Sequence, residues 1–144
     1  PAYASPDHPC KAVYYFGGDG KRHAFPNERV YFTWYTDFNT VDEVSDAYLA
    51  SLPLGLNVTY RPGTRLVKFT TVNRVYAVSR RGVLRWMTSE ALANALYGPS
   101  WNRMVDDIPD AFYTNYTFGA DITSSASYSP AAEISGTATI EANL

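Results

Sequence analysis

Apolar, aromatic and turn-forming residues occur twice along this chain in the same order. The pattern of residues 13–35 returns at residues 75–97, a constant offset of 62 positions. The pattern of residues 41–55 returns at residues 105–119, a constant offset of 64 positions. No set of catalytic residue types recurs with them. A repeat that copies only packing and turn residues predicts a duplicated building unit whose copies bury their apolar faces together.

Each copy is predicted to contain a β-hairpin. Strand-prone residues lie on both sides of the glycine-containing turns at residues 17–20 and 79–82, which is typical of a hairpin. Residues 66–71 predict a further strand that leads into the second hairpin. Before the first hairpin, only residues 1–4 precede a stretch whose prolines cannot sit inside a sheet. One sheet edge of the first copy is therefore expected to be poorly covered.

The segment after each hairpin is predicted to be a helix. Residues 89–97 combine alanine and leucine at helical spacing and end at a Gly-Pro pair. Residues 28–35 are strand-like in composition, but they are in register with this helix, so we predict a helix there too. Asn27 and Thr88 are the predicted N-caps.

Paired acidic residues follow in both copies, Asp42 with Glu43 and Asp106 with Asp107. Such pairs could perform acid–base chemistry. No basic or nucleophilic residue accompanies them at a fixed spacing. We therefore interpret them as capping residues of a short helix in each copy.

The whole pattern predicts an α+β fold. Two tandem copies of a strand-hairpin-helix unit, residues 1–63 and 64–122, are expected to share a core, because a domain of about sixty residues is only marginally stable alone. Residues 123–144 are predicted to form a serine-rich linker and an extended C-terminal β-strand arm. Apolar and polar residues alternate along this arm, which is typical of a half-buried strand.

A strand at a chain end leaves backbone N–H and C=O groups that need partners. We expect the arm to insert into a neighbouring copy, a contact that propagates head-to-tail into a filament; folding back onto its own subunit is the alternative. Deleting residues 131–144, or the change Ile140→Asp, should then leave a folded protein that does not polymerise. The predicted interface residues are Ile134, Ala138, Ile140 and Leu144 on the arm and Tyr3 and Val13 at the receiving edge.

Composition narrows the function classes. The net charge of −2 and the scattered basic residues argue against a nucleic-acid partner, and no apolar run is long enough for membrane insertion. Cys10 is the only cysteine, so it is either an inert thiol or a bridge to another chain. Asn57 and Asn115 match the N-glycosylation pattern, whose use stays open.

Candidate catalytic chemistry is sparse. His8 and His23 lack the spacing of metal ligands, and the chain contains no nucleophile elbow, P-loop or C-x-x-C motif. We predict no catalytic residue, no metal and no cofactor. Several aromatic residues could form a sugar-stacking platform, although core packing is the preferred interpretation; they are Tyr14, Tyr15, Trp34, Tyr35, Trp86, Tyr97 and Trp101.

Three stretches resemble a known module: VYYFGGDGKRHAFPNE at residues 13–28, YFTWYTDF at residues 31–38 and NVTYRPG at residues 57–63. Together they are similar to a tandem module of uncharacterised exported cell-surface proteins from candidate phyla radiation bacteria. The resemblance covers about residues 2–122 and implies an extracellular or cell-surface setting and a duplicated unit. It implies no activity and no catalytic residues. In that module an apolar strand precedes the first hairpin, whereas here it is shortened.

These inferences predict a structural subunit of an extracellular filament or surface layer, with copies of itself as partners. The alternative is a monomeric module that binds cell-wall glycan through exposed aromatic side chains. An enzyme is the third and least favoured class.

Overall fold

A computed structural model describes residues 12–144 of the chain. The fold is a mixture of α and β structure with two sheets in this part of the chain. An α+β fold is therefore confirmed. The predictions on Tyr3, His8 and Cys10 lie outside the described residues.

The first half contains a two-stranded sheet and two short helices. Strand β1, Tyr14–Phe16, pairs antiparallel with β2, Arg22–Ala24. Helix α1, Glu28–Tyr31, is followed by hydrogen-bonded turns up to residue 35, and α2 covers Asp46–Ser51. The predicted hairpin is confirmed. The predicted helix at residues 28–35 is regular only in its first turn, where Asn27 accepts a hydrogen bond from Val30 N as the N-cap.

The second half contains a five-stranded sheet. The hairpin strands β4 and β5 lie at its centre, β3 pairs antiparallel with β4 and parallel with β6, and β5 pairs parallel with β7. The predicted strand, hairpin and helix are confirmed. The strands and the helix are β3 Leu66–Phe69, β4 Tyr76–Ser79, β5 Val83–Trp86, β6 Val105–Ile108, β7 Thr117–Phe118 and α3 Glu90–Tyr97. Short 3-10 helices cover Arg80–Gly82, Trp101–Met104 and Asp110–Asn115.

Two local predictions in the second half need correction. The N-cap of α3 is Ser89, whose hydroxyl accepts from Leu92 N, while the Thr88 hydroxyl donates to the Ile122 carbonyl. Asp106 and Asp107 do not cap a helix, because they lie within strand β6. A parallel partner strand overrides the local capping preference of aspartate there.

Backbone hydrogen bonds recur at the two offsets seen in the sequence. Three backbone hydrogen bonds of the first half each have an equivalent in the second half, and all six are 2.8–3.0 Å long. The bond from Phe25 N to Val13 O corresponds to that from Met87 N to Val75 O, and the bond from Gly55 N to Arg22 O corresponds to that from Gly119 N to Leu84 O. The bond from Val58 N to Ala24 O corresponds to that from Ile122 N to Trp86 O. The strands around the two hairpins therefore run in the same register, and positions related by these offsets can be compared directly.

The predicted extended arm is wrong. Residues Pro130–Gly136 form helix α4, and Glu141–Asn143 form a 3-10 turn. Ser129 caps α4 by accepting from Ala132 N, and Pro130 occupies its first turn, a pairing that initiates helices. Alanine and glutamate favour helix over strand, so the alternating pattern does not select an extended chain here.

The C-terminal segment is bound to its own subunit. Ile140 is buried in the same core cluster as Val30 and Val78, and the Arg61 guanidinium donates to the carbonyls of Ile134 and Thr137. Glu141 accepts hydrogen bonds from the Tyr15 hydroxyl at 2.9 Å and from Gly18 N at 3.0 Å. The segment therefore packs on its own subunit in this structure, as in the alternative to insertion into a neighbour. Deleting residues 131–144 would open the core rather than leave it intact.

Both halves contribute to one apolar cluster. Val30, Val58 and Tyr60 of the first half pack with Val67 and Phe69 of β3. A second cluster on β3 and β4 includes Leu66 and Ala77 and packs under α3. Because successive residues of a strand point to opposite faces, β3 is covered on both sides. The halves are joined by their packing.

Candidate functional site

Strand β3 occupies a closed slot in the second half. It lies between β4 and β6, and its apolar residues Leu66, Val67 and Phe69 are at most 1 % exposed. Its carboxyl-terminal residue Phe69 is opposite Ile108 of β6. The position between β4 and β6 is thus filled by a strand of four residues.

The corresponding place in the first half is an open groove. The counterpart of β4 is β1, and the counterpart of β6 is residues 41–44, which have no regular structure. Between them lies a cavity of about 940 Å³, lined on these two sides by Val13, Tyr14, Phe16, Val41, Asp42, Glu43 and Val44. Among the described residues β1 pairs with β2 alone. The free edge of β1 therefore faces the groove in this part of the chain.

The floor of the groove is aromatic and already packed. The ring of Tyr31 stacks on Phe38 with a centroid distance of 4.5 Å and on Tyr35 at 5.1 Å. The Tyr31 hydroxyl donates to the Asp37 carbonyl, and burial raises the pKa of Tyr31 above its ordinary value. The aromatic floor is therefore held in place by contacts within the protein.

The rim of the groove exposes apolar side chains whose counterparts are buried. Phe16 is 55 % exposed, whereas its counterpart Val78 is 0 % exposed. Val44 is 41 % exposed, whereas its counterpart Ile108 is 4 % exposed. The rim of the groove therefore exposes apolar surface that the counterpart residues of the second half bury.

The charges at the two slots also correspond. In the second half, Asp106 is 1 % exposed and accepts from Nε and Nη2 of Arg65 at 2.9 Å each. The same carboxylate accepts a hydrogen bond from Arg29 Nη1 at 2.9 Å and another from the Tyr60 hydroxyl at 3.1 Å. Burial raises the pKa of Tyr60, and the negative charge of Asp106 raises it further. The counterpart of Asp106 is Asp42, which is exposed on the wall of the groove.

The capping interpretation missed the role of Asp106. Its carboxylate binds the residue that directly precedes β3, because parallel pairing sets Val67 opposite Asp106 and so brings Arg65 close. The signal available in the sequence is the arginine before the apolar run of β3. Its meaning depends on which strands pair, which the spacing alone does not specify.

Most of the predicted interface residues lie away from this groove. Val13 lines it, whereas Ile140 is buried and Ile134 and Leu144 are half-buried in the C-terminal segment. Ala138 is exposed there. The proposed sugar-stacking residues are half-buried and divided between the groove and the two core clusters, so they do not form one exposed face.

A smaller cavity of about 280 Å³ lies beside His23. His23 is buried; its Nδ1 is 2.7 Å from the Leu56 carbonyl and its Nε2 is 3.1 Å from both Asp19 oxygens. The hydrogen bond from His23 lowers the pKa of Asp19. The imidazole ties the turn of the first hairpin to residues 55–56, an arrangement that holds the backbone in place.

Within residues 12–144 no group of three or more histidine, cysteine, aspartate or glutamate side chains is arranged to hold a metal ion. The helices in the same range are too short and too polar to cross a membrane. Comparison of the chain with protein-family models, with curated proteins and with solved structures finds no match.

Proposed function

We propose that this chain is a non-catalytic structural subunit of an extracellular assembly, and that it contacts its neighbour by accepting an extended strand in the groove of its first half. The observation that carries the proposal is the location of the groove. It lies where β3 lies in the second half, next to the free edge of β1. The extracellular setting comes from the resemblance of residues 2–122 to exported modules.

The proposal includes two tandem copies of one unit. The recurring backbone hydrogen bonds around the two hairpins support it. In this proposal the second copy carries its own strand β3, and the first copy takes the corresponding strand from elsewhere. Strand addition supplies backbone hydrogen bonds along the whole added segment and apolar contacts from alternate side chains.

The test is binding of a fluorescent peptide with the sequence TRLVKFTT, which is that of residues 64–71 and includes β3. We expect saturable binding to the full chain, measured by fluorescence anisotropy. Val44→Lys introduces a charge on the groove wall and should weaken binding at least tenfold. Leu56→Lys is the matched control, because Leu56 is more exposed than Val44 and lies outside the groove. Absence of binding, or equal loss in both variants, would contradict the proposal.

Sedimentation velocity of the same three proteins reads out self-association. A concentration-dependent polymer that Val44→Lys abolishes and Leu56→Lys does not would identify copies of the chain as the neighbours.

Glycan binding is the second candidate, favoured by the aromatic floor of the groove beside the acidic Asp42 and Glu43. Soluble peptidoglycan fragments are added to the peptide complex. Their displacement of the peptide at fragment concentrations below about 1 mM would favour a glycan ligand over a strand.

A further inference from the structure

We infer that the groove selects an extended segment of a different protein chain in which an arginine or lysine directly precedes two apolar residues, and that Asp42 binds this basic residue. The inference rests on the proposed strand-accepting function and adds the chemistry of the partner. The ligand class is a basic–apolar–apolar–any–apolar peptide in the β conformation.

Strand β3 supplies the pattern of this ligand. It begins with Leu66 and Val67 and ends with Phe69, and Arg65 comes directly before it. The apolar residues meet the buried faces of the sheet, while Arg65 binds Asp106 with two parallel hydrogen bonds of 2.9 Å. Bidentate pairing of arginine with a carboxylate gives geometric selectivity as well as attraction.

The register of β3 against β6 transfers to the groove. In the second half Leu66, Val67, Lys68 and Phe69 are opposite Val105, Asp106, Asp107 and Ile108. At the offset of 64 positions, the counterparts of these four β6 residues are Val41, Asp42, Glu43 and Val44. Each counterpart is similar in charge and polarity to the β6 residue it corresponds to. An incoming strand in the same register would bring its basic residue to Asp42 and its last apolar residue to Val44.

The charges around the groove favour a cation. Asp42, Glu43 and Glu28 line it, and Arg22 is the only basic residue in its lining within the described part of the chain. The Arg22 guanidinium is already engaged, since its Nε donates to the Leu52 carbonyl at 3.1 Å and its Cζ lies over the ring of Tyr14. The remaining negative charge attracts a basic segment and rejects an acidic one.

The chain itself offers no free segment of this kind in its described part. Segments with the pattern begin at Arg65, at Arg74 and at Lys11. The first builds β3 and the second runs into β4, while residues 14 and 15 of the third belong to β1. Residues 1–10 contain neither lysine nor arginine. The matching segments of the described chain are therefore already part of its own sheets, which favours a segment of a different protein chain as the occupant.

The experiment compares TRLVKFTT with the same peptide carrying alanine in place of its arginine. With the full chain, we expect the alanine peptide to bind about tenfold more weakly at low salt, and the difference to shrink at 0.5 M NaCl. Asp42→Asn should abolish the difference between the two peptides. Asp107→Asn is the matched control, because it removes the same charge from strand β6 of the second half, and it should retain the difference.

A charge exchange gives a gain of binding as a second readout. Asp42→Lys should bind the peptide with glutamate in place of its arginine more tightly than it binds TRLVKFTT. Circular dichroism and thermal melting establish that each variant is folded; Asp42 is exposed, so folding is expected to be unaffected.

Several outcomes would overturn the inference. Equal affinity of the full chain for the arginine and alanine peptides would exclude selection of a basic residue, while binding that Val44→Lys weakens would leave the strand-accepting function in place. Retention of the difference in Asp42→Asn would exclude Asp42 as the selecting residue. A tenfold gain in peptide affinity on removal of residues 1–11 would identify those residues, rather than another chain, as the occupant. Absence of all peptide binding would overturn the proposed function itself.

Discussion

The two halves of this protein each place a β-hairpin beside a slot, and they differ in whether a strand of residues 12–144 fills it. In the second half β3 lies between β4 and β6 and is covered on both faces. In the first half β1 and residues 41–44 border a groove of about 940 Å³. Under the proposed function, one scaffold forms a core in the second half and a strand-binding groove in the first. The strand between the two walls makes the difference, because it supplies the apolar surface that both walls bury.

The corresponding acids illustrate the same difference. Asp106 is enclosed by Arg65, Arg29 and Tyr60 and contributes to the packing between the halves. Asp42 occupies the equivalent position but is exposed on the groove wall. The chemistry of a carboxylate thus follows from the strand that lies beside it rather than from its own position in the repeat.

The largest contrast is expected from removing these two acids. Asp106→Ala leaves the hydrogen-bonding groups of Arg65 and Tyr60 without their buried acceptor, and it should lower the free energy of unfolding by about 3–5 kcal/mol. Asp42→Ala should change it by less than about 0.5 kcal/mol, because Asp42 is exposed. Urea denaturation followed by circular dichroism measures both. Similar losses in the two variants would mean that the first slot is closed in solution.

A second matched pair tests the apolar walls. Ile108→Ala removes a side chain that is 4 % exposed and packed in the shared core, and it should cost about 2–5 kcal/mol. Its counterpart Val44→Ala removes a side chain already in contact with water, and the expected cost is within about 0.5 kcal/mol. Adding TRLVKFTT at saturation should raise the melting temperature of wild type more than that of Val44→Ala. A cost for Val44→Ala as large as that for Ile108→Ala would contradict an open groove.

The smallest expected effect is on the pH dependence of the melting temperature. It tests whether the two halves unfold together. Burial and the hydrogen bond to Glu141 raise the pKa of Tyr15 to about 12, and burial raises the pKa of Tyr97 to about 12. A pKa raised on folding stabilises the protein below the unfolded pKa of about 10, and this contribution is lost as the pH rises from about 10 to 12.

We therefore expect the melting temperature to fall between pH 9 and pH 11.5. Tyr15→Phe and Tyr97→Phe should each make this fall less steep. In both variants we expect the whole protein to unfold in one common transition. Calorimetry in which the two variants alter separate transitions would show that the halves unfold independently.

Much of the local structure follows from the sequence. Both hairpins, the strand before the second hairpin and the helix start at Asn27 were predictable, because turn residues, strand-prone runs and capping side chains act over a few residues. The recurrence at fixed offsets also predicted a helix start at residue 28 despite a strand-like composition. That inference used the second copy as a template and not the local propensity.

The C-terminal segment shows where the pattern misleads. Its alternation fits a strand, yet Ser129 and Pro130 initiate a helix, and Ile140 is buried beside residues from both halves. Alternation was a weak signal here because alanine and glycine on one face supply little apolar surface to hold a sheet. The capping pair was present in the sequence and points to the observed helix.

The sequence by itself determined the repeated elements, the turn positions and the absence of a recognisable catalytic motif. Only the tertiary structure decided that β3 fills one slot, that the other remains a groove, and that Asp106 is a buried ion-pair partner while Asp42 is exposed. The reason is physical. Strand pairing and burial depend on residues far apart in the chain, so equivalent side chains in two copies of one pattern acquire opposite environments when a single neighbouring strand differs.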